Sequence, residues 1–80
     1  MEYNINMKII QLQYFAEVVK TNNISKAAKN LYVSQPAISA AIRELEKEFN
    51  TTLFIRYNNQ ITLTDEGHYL YRLTMGLLDK

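Results

Sequence analysis

Gln35, Ser39 and Arg43 stand at intervals of four, so a helix carries all three on one face, with Pro36 and Ala40 beside them. Such a face offers hydrogen bonding rather than bond making. A glutamine amide presents a donor and an acceptor that match N6 and N7 of adenine. A serine hydroxyl serves several bases, and an arginine guanidinium reaches guanine or a phosphate. Bond-making chemistry has little to draw on, because the chain has one histidine, no cysteine, no Gly-rich phosphate loop and no HExxH spacing. Glu44, Glu46 and Glu48 alternate at two-residue intervals, so on a helix they point apart and form neither an acid/base dyad nor a metal site. His68, beside Tyr69 and Asp65, reads as a helix surface residue. No enzyme, metal site or cofactor is expected in these residues.

The elements that must position this face follow from the hydrophobic spacing. Ile9, Leu12, Phe15, Ala16 and Val19 form one stripe of a first helix over about Met7 to Lys20, which Asn22 and Asn23 break. Ser25 is the expected N-cap of a short second helix with Ala27, Ala28 and Leu31 on one face. Ser34-Gln35-Pro36 repeats the start signal, a capping hydroxyl with proline in the first turn. Ile38, Ile42, Leu45 and Phe49 then give a third helix its inner face, and Asn50 ends it in the left-handed conformation. The period changes at Leu53-Phe54-Ile55-Arg56-Tyr57 and Gln60-Ile61-Thr62-Leu63, two β-rich runs joined by Asn58-Asn59, which predict a hairpin. Thr64 caps a last helix with Asp65 and Glu66 in its first turn. On that helix Leu70, Leu73 and Leu77 form one stripe, with Tyr69, Leu78 and Met75 nearby.

Charge is segregated along these elements. The formal net charge of +1 says nothing by itself, but Val18 to Arg43 contains Lys20, Lys26, Lys29 and Arg43 and no acid, while Glu44, Glu46 and Glu48 follow at once. A positive surface in the middle of the chain suits a polyanion. The 80 residues hold one small domain with 48% apolar residues and two glycines, which excludes disorder and a second core. Absence of cysteine fits a reducing cytoplasm. The longest apolar run is three residues, as in Leu53-Phe54-Ile55, and the start Met1-Glu2-Tyr3-Asn4 lacks a signal pattern, so no membrane partner is expected.

A short helix, a tight turn and a longer helix entered through Ser-x-Pro make a helix-turn-helix over about 24–43, and the hairpin behind it makes it winged. The expected fold is mainly α: a three-helix core, a β-hairpin wing and a C-terminal linker or dimerisation helix. Residues 1–6 read as a flexible extension, 7–64 as the winged helix-turn-helix with its wing over about 53–63, and 65–80 as the linker helix. Gln35, Pro36, Ser39, Ala40 and Arg43 are the candidate base contacts. Ser25, Lys26, Lys29, Ser34, Arg56 and Asn59 are the candidate backbone or wing contacts, Arg56 and Asn59 reaching a phosphate or the minor groove. The acids behind Arg43 repel DNA, so only the N-terminal half of the third helix should enter a groove. The competing expectation is a winged-helix protein-interaction module in which the same polar face is merely solvated.

Six ordered blocks resemble the DNA-binding domain of LysR-type transcriptional regulators. They are Leu12-x-x-Phe15, Ile24-Ser25-x-Ala27-Ala28-x-x-Leu31, Val33-Ser34-Gln35-Pro36-Ala37-Ile38-Ser39, Ile42-x-x-Leu45-Glu46, Leu53-Phe54-x-Arg56 and Leu63-Thr64-x-x-Gly67. The resemblance covers about 7–78 and implies sequence-specific double-stranded DNA binding, with Gln35, Pro36, Ser39 and position 40 facing bases, and Ser34, Arg56 and the wing meeting the backbone. It also implies a homodimer through the last helix, and a C-terminal domain, absent from these residues, that senses a small-molecule effector. The chain is on this reading a fragment of a longer regulator. Ala40 departs from the family, many of whose members carry Arg or Lys there; Asn50 replaces a usual Gly, and Glu66 a common Ala. A dimer through Leu70, Leu73 and Leu77 would set two third helices about one helical turn, ~34 Å, apart on a near-palindromic operator.

Overall fold

The computed structural model describes the backbone of residues 5–57 and 60–78. Its elements run α1 Ile5–Thr21, α2 Ile24–Leu31, α3 Gln35–Phe49, β1 Phe54–Tyr57, β2 Gln60–Leu63 and α4 Asp65–Leu78. The first helix thus begins two residues before Met7, within the stretch expected to be an extension; residues 1–4 of that stretch lie outside the described residues. Leu12, Phe15 and Ala16 are buried as their spacing predicts, but Val18 is fully buried, Ile9 is 40% exposed and Val19 only packs against the core edge. The buried arc is wider than one stripe because α1 touches α2, α3 and α4 together.

The start of α2 corrects the expected cap. Asn22 takes a left-handed φ of 54° that turns the chain out of α1, its amide donating to Val18 O at 2.7 Å. Asn23 is then extended, and its Oδ1 accepts from the Lys26 amide at 2.8 Å. Ser25 therefore sits inside the helix as its second residue and does not cap it. At the other end, Tyr32 adopts φ 58° and ψ 40°, its N–H donating back to the Ala28 and Lys29 carbonyls, while Val33 N donates to Ala28 O.

α3 starts as predicted. The Ser34 Oγ accepts from Ala37 N at 3.2 Å, and Pro36 occupies the first turn, where no carbonyl awaits its missing amide. Asn50 ends the helix at φ 51°. Ile38, Ala41, Ile42 and Leu45 are buried, whereas Phe49 is 48% exposed, because the last turn of α3 runs past the edge of the core. Its ring lies beneath the Lys8 ammonium instead, 5.8 Å away.

The wing is an antiparallel pair in the register Phe54↔Leu63 to Tyr57↔Gln60, which leaves two residues, Asn58 and Asn59, for the connection. Those two lie outside the described residues. Its root is in the core: Leu53 is 1% exposed, and the Phe54 ring packs on Phe15 with centroids 5.5 Å apart. Thr64 closes the root and opens α4, its hydroxyl donating to Thr52 O and accepting from Gly67 N at 2.9 Å. Gly67 must be glycine here, since a Cβ would meet Leu53 O at 2.5 Å and the Leu63 side chain closer still. α4 then lies along α1 and corrects a second expectation: Leu70 is buried in the chain's own core, leaving Leu73, Leu77 and Tyr69 on the outer side, 50%, 63% and 59% exposed. Spacing identifies a stripe but not which flank of it turns inward.

Candidate nucleic-acid interface

The exposed side of α3 carries the predicted set. Gln35, Pro36, Ala40 and Arg43 are exposed and Ser39 is half-buried, with Ile38 and Ile42 behind them holding the helix to α1. No acidic residue stands in the first turn of α2 or α3, so both helix starts keep the partial positive charge of their free amides. Ser34 is exposed but already engaged as a cap, which leaves its hydroxyl hydrogen available for a phosphate oxygen.

The wing folds back beside this surface. Arg56, Tyr57 and Gln60 face Ser25, Asn23 and Gln35 across one open cleft of about 430 Å³. A second hollow runs from Gln35 over Lys26, Lys29 and Asn30 on α2. Gln35 borders both, so the start of α3 lies between the wing and the basic face of α2. The structure thereby brings together Gln35, Ser25 and Arg56 on one side, and Gln35, Lys26 and Lys29 on the other. Pro36, Ser39, Ala40 and Arg43 line neither hollow and occupy the exposed length of α3 that follows. Asn59 lies outside the described residues.

Besides the apolar Ile24 and Ile61, four cleft residues with polar groups escaped the sequence reading: Asn22, Asn23, Tyr57 and Gln60. The asparagines were legible only as helix breakers, although the same side chains that break a helix can cap the next and face a ligand. Tyr57 and Gln60 are the last pair of the hairpin register, so the pairing that predicted the wing also pointed to them. The nearest upstream carboxylate is held back from this surface. Glu17 accepts from Asn30 Nδ2 at 2.9 Å and fastens α2 to α1.

The other half of α3 is different in kind. Glu44 and Glu48 are exposed, Glu48 pairs with Lys8 at 3.2 Å, and Glu46 turns inward to accept from Leu53 N at 2.8 Å. Beside them Phe49, Tyr69 and Leu73 flank an apolar groove between the end of α3 and the start of α4. Among the described residues no group of three or more His, Asp or Glu is placed to hold a metal ion, and no helix is long and apolar enough to cross a membrane.

A helix-turn-helix whose second helix is exposed along one face, backed by a two-stranded wing, defines a winged helix-turn-helix. The family model for bacterial regulatory helix-turn-helix proteins of the lysR family matches residues 9–68, and the chain belongs to that family. It is 48% identical over 62 residues to a probable RuBisCO transcriptional regulator of Gracilaria tenuistipitata var. liui, covering 78% of this chain and 20% of that protein. It is 36% identical over 72 residues to the regulator BenM of Acinetobacter baylyi, covering 90% and 24%. The CbnR DNA-binding domain in its DNA complex superposes with a TM-score of 0.85 at 35% identity, over 89% of this chain and 82% of that one. The BenM DNA-binding domain bound to benA site 1 DNA gives 0.84 at 35% identity, over 89% and 83%. The chain spans about a fifth to a quarter of the length of these curated relatives.

Proposed function

We propose that this chain is the sequence-reading module of a LysR-type transcriptional regulator, binding double-stranded DNA with the N-terminal half of α3 in the major groove and the wing against the backbone or minor groove. The observation that carries this reading is the acid-free surface on which Gln35, at the start of α3, lies between Arg56 of the wing and Lys26 and Lys29 of α2. Polar and small side chains there meet base edges, and cations on either side meet the phosphate chains that flank a groove. The solved DNA complexes of the CbnR and BenM domains, which share this fold at 35% identity, support it. Ser39 and Arg43 extend the base-reading set, and Ala40 keeps the helix close to the groove floor without adding a cation.

Two copies pair through the outer side of α4, where Tyr69, Leu73 and Leu77 leave more apolar surface wet than a small domain usually tolerates. The operator is then near-palindromic, with half-sites about one helical turn, ~34 Å, apart. The module is not an enzyme, works in the cytoplasm, and needs no cofactor for DNA binding. Effector sensing is assigned to the portion of such regulators that these residues do not span. Selection of duplexes from a random pool at low salt tests the reading: a recurrent half-site is expected, with log affinity falling against log salt by about 0.9 per neutralised phosphate. A pool that emerges without sequence enrichment contradicts it. Sedimentation that finds only monomer at high concentration removes the α4 pairing.

A further inference from the structure

Of the three acids on the far half of α3, only Glu46 turns inward. Its Oε2 accepts from the Leu53 amide at 2.8 Å and from the Phe54 amide at 3.4 Å. Leu53 is 1% exposed and precedes the ladder, whose first pair is Phe54↔Leu63, so β2 offers its amide no partner. The Leu53 carbonyl accepts from Thr64 N at 3.0 Å, where the chain leaves the wing. One residue thus ties the wing root to α3 through its N–H and to the outgoing strand through its C=O. Among the described residues the sheet has these two strands, and no third strand steadies it. Arg56 stands three residues beyond Leu53, about 10 Å along a strand, and a tilt of ~10° at the root shifts it by nearly ~2 Å.

We propose that Glu46 is a positioning residue for DNA recognition: by holding the wing root it sets where Arg56 stands relative to Gln35, and so governs DNA affinity from a place that never meets DNA. The inference rests on the DNA-binding reading. It has a sign that simple charge does not. Removing an acid from a DNA-binding protein strengthens attraction to the polyanion, whereas loosening the wing weakens binding.

Two substitutions separate the effects. Glu46→Asp keeps the charge and loses the reach; Glu46→Gln keeps an acceptor at the right length and loses the charge. Each is made alone and with Arg56→Ala, and binding is measured on the duplex that the wild-type chain selects, at a temperature where circular dichroism shows every variant folded. Glu46→Asp is expected to weaken binding on the order of tenfold and to flatten the salt slope by about 0.9, one phosphate contact. Glu46→Gln stays within about threefold of wild type, and in the Arg56→Ala background Glu46→Asp costs less than about twofold. Equal losses with and without Arg56, or tighter binding by Glu46→Gln with Glu46→Asp unchanged, overturn the positioning role. A wild-type chain that selects no duplex overturns the DNA reading itself, and the positioning role with it.

Discussion

The two halves of α3 belong to one continuous helix and face different worlds. From Gln35 to Arg43 the exposed positions are polar or small, no acid intervenes, and the neighbours are the basic face of α2 and the wing. From Glu44 to Phe49 the exposed positions are Glu44, Lys47, Glu48 and Phe49, two acids to one base, and the neighbours are Asp65, Glu66, Tyr69 and Leu73 of α4. The contrast teaches that a helix need not have one function along its length. The first half offers hydrogen bonds and positive potential, suited to a nucleic acid; the second repels a polyanion and offers apolar area, suited to protein. The helix is rigid, so whatever docks on one half fixes the direction of the other.

The contrast breaks most completely where both halves share a support. Gly67, in the first turn of α4, lies against the wing root at Leu53 and Leu63, and Gly67→Ala is expected to destabilise the chain by about 2–3 kcal/mol because a backbone carbonyl cannot yield. Thermal unfolding should then fall by roughly 10–20 °C. Substitutions confined to one half sharpen the contrast instead. Gln35→Ala or Ser39→Ala should alter the selected sequence by ~1–3 kcal/mol at the contacted base pair. Glu44→Ala, on the other half, should leave the preferred sequence as it was. The helix starts give a smaller difference. Ser34→Ala removes the α3 cap and should cost about 1 kcal/mol in urea unfolding, while Ser25→Ala, which caps nothing, stays within a few tenths. The smallest effect lies in the α4 seam. The Thr74 hydroxyl is fully buried and has no hydrogen-bond partner among the described residues, so Thr74→Val should raise stability by ~0.5–1 kcal/mol.

Much of this arrangement was legible in the residue order. Ser34 and Pro36 announced the start of α3, Asn50 its end, and the two β-rich runs around Asn58-Asn59 the hairpin register. Each is a local signal, decided by backbone chemistry within a few residues. What escaped was decided at a distance. Ser25 and Asn23 are both competent caps, and the choice between them depended on Asn22 turning the chain out of α1. Leu70 and Leu73 share a stripe, and only the placement of α4 on α1 buries the first and exposes the second. Phe49 continues the apolar spacing of α3 one turn beyond the core that the spacing serves. The candidate base-reading residues were all on the exposed side of α3, because an amphipathic helix reveals its outer face as clearly as its inner one. Asn22, Asn23, Tyr57 and Gln60 became visible as cleft residues only once the wing had folded beside α2.

The division of α3 into a DNA-facing and a protein-facing half is tested most directly by following backbone amide shifts of the labelled chain as its selected duplex is added. Shifts concentrated at Ser25, Lys29, Gln35, Ser39 and Arg56, with Glu48, Tyr69 and Leu73 unmoved, are the predicted result. Shifts centred on Glu48 to Leu73, or none on the first two turns of α3, would contradict it.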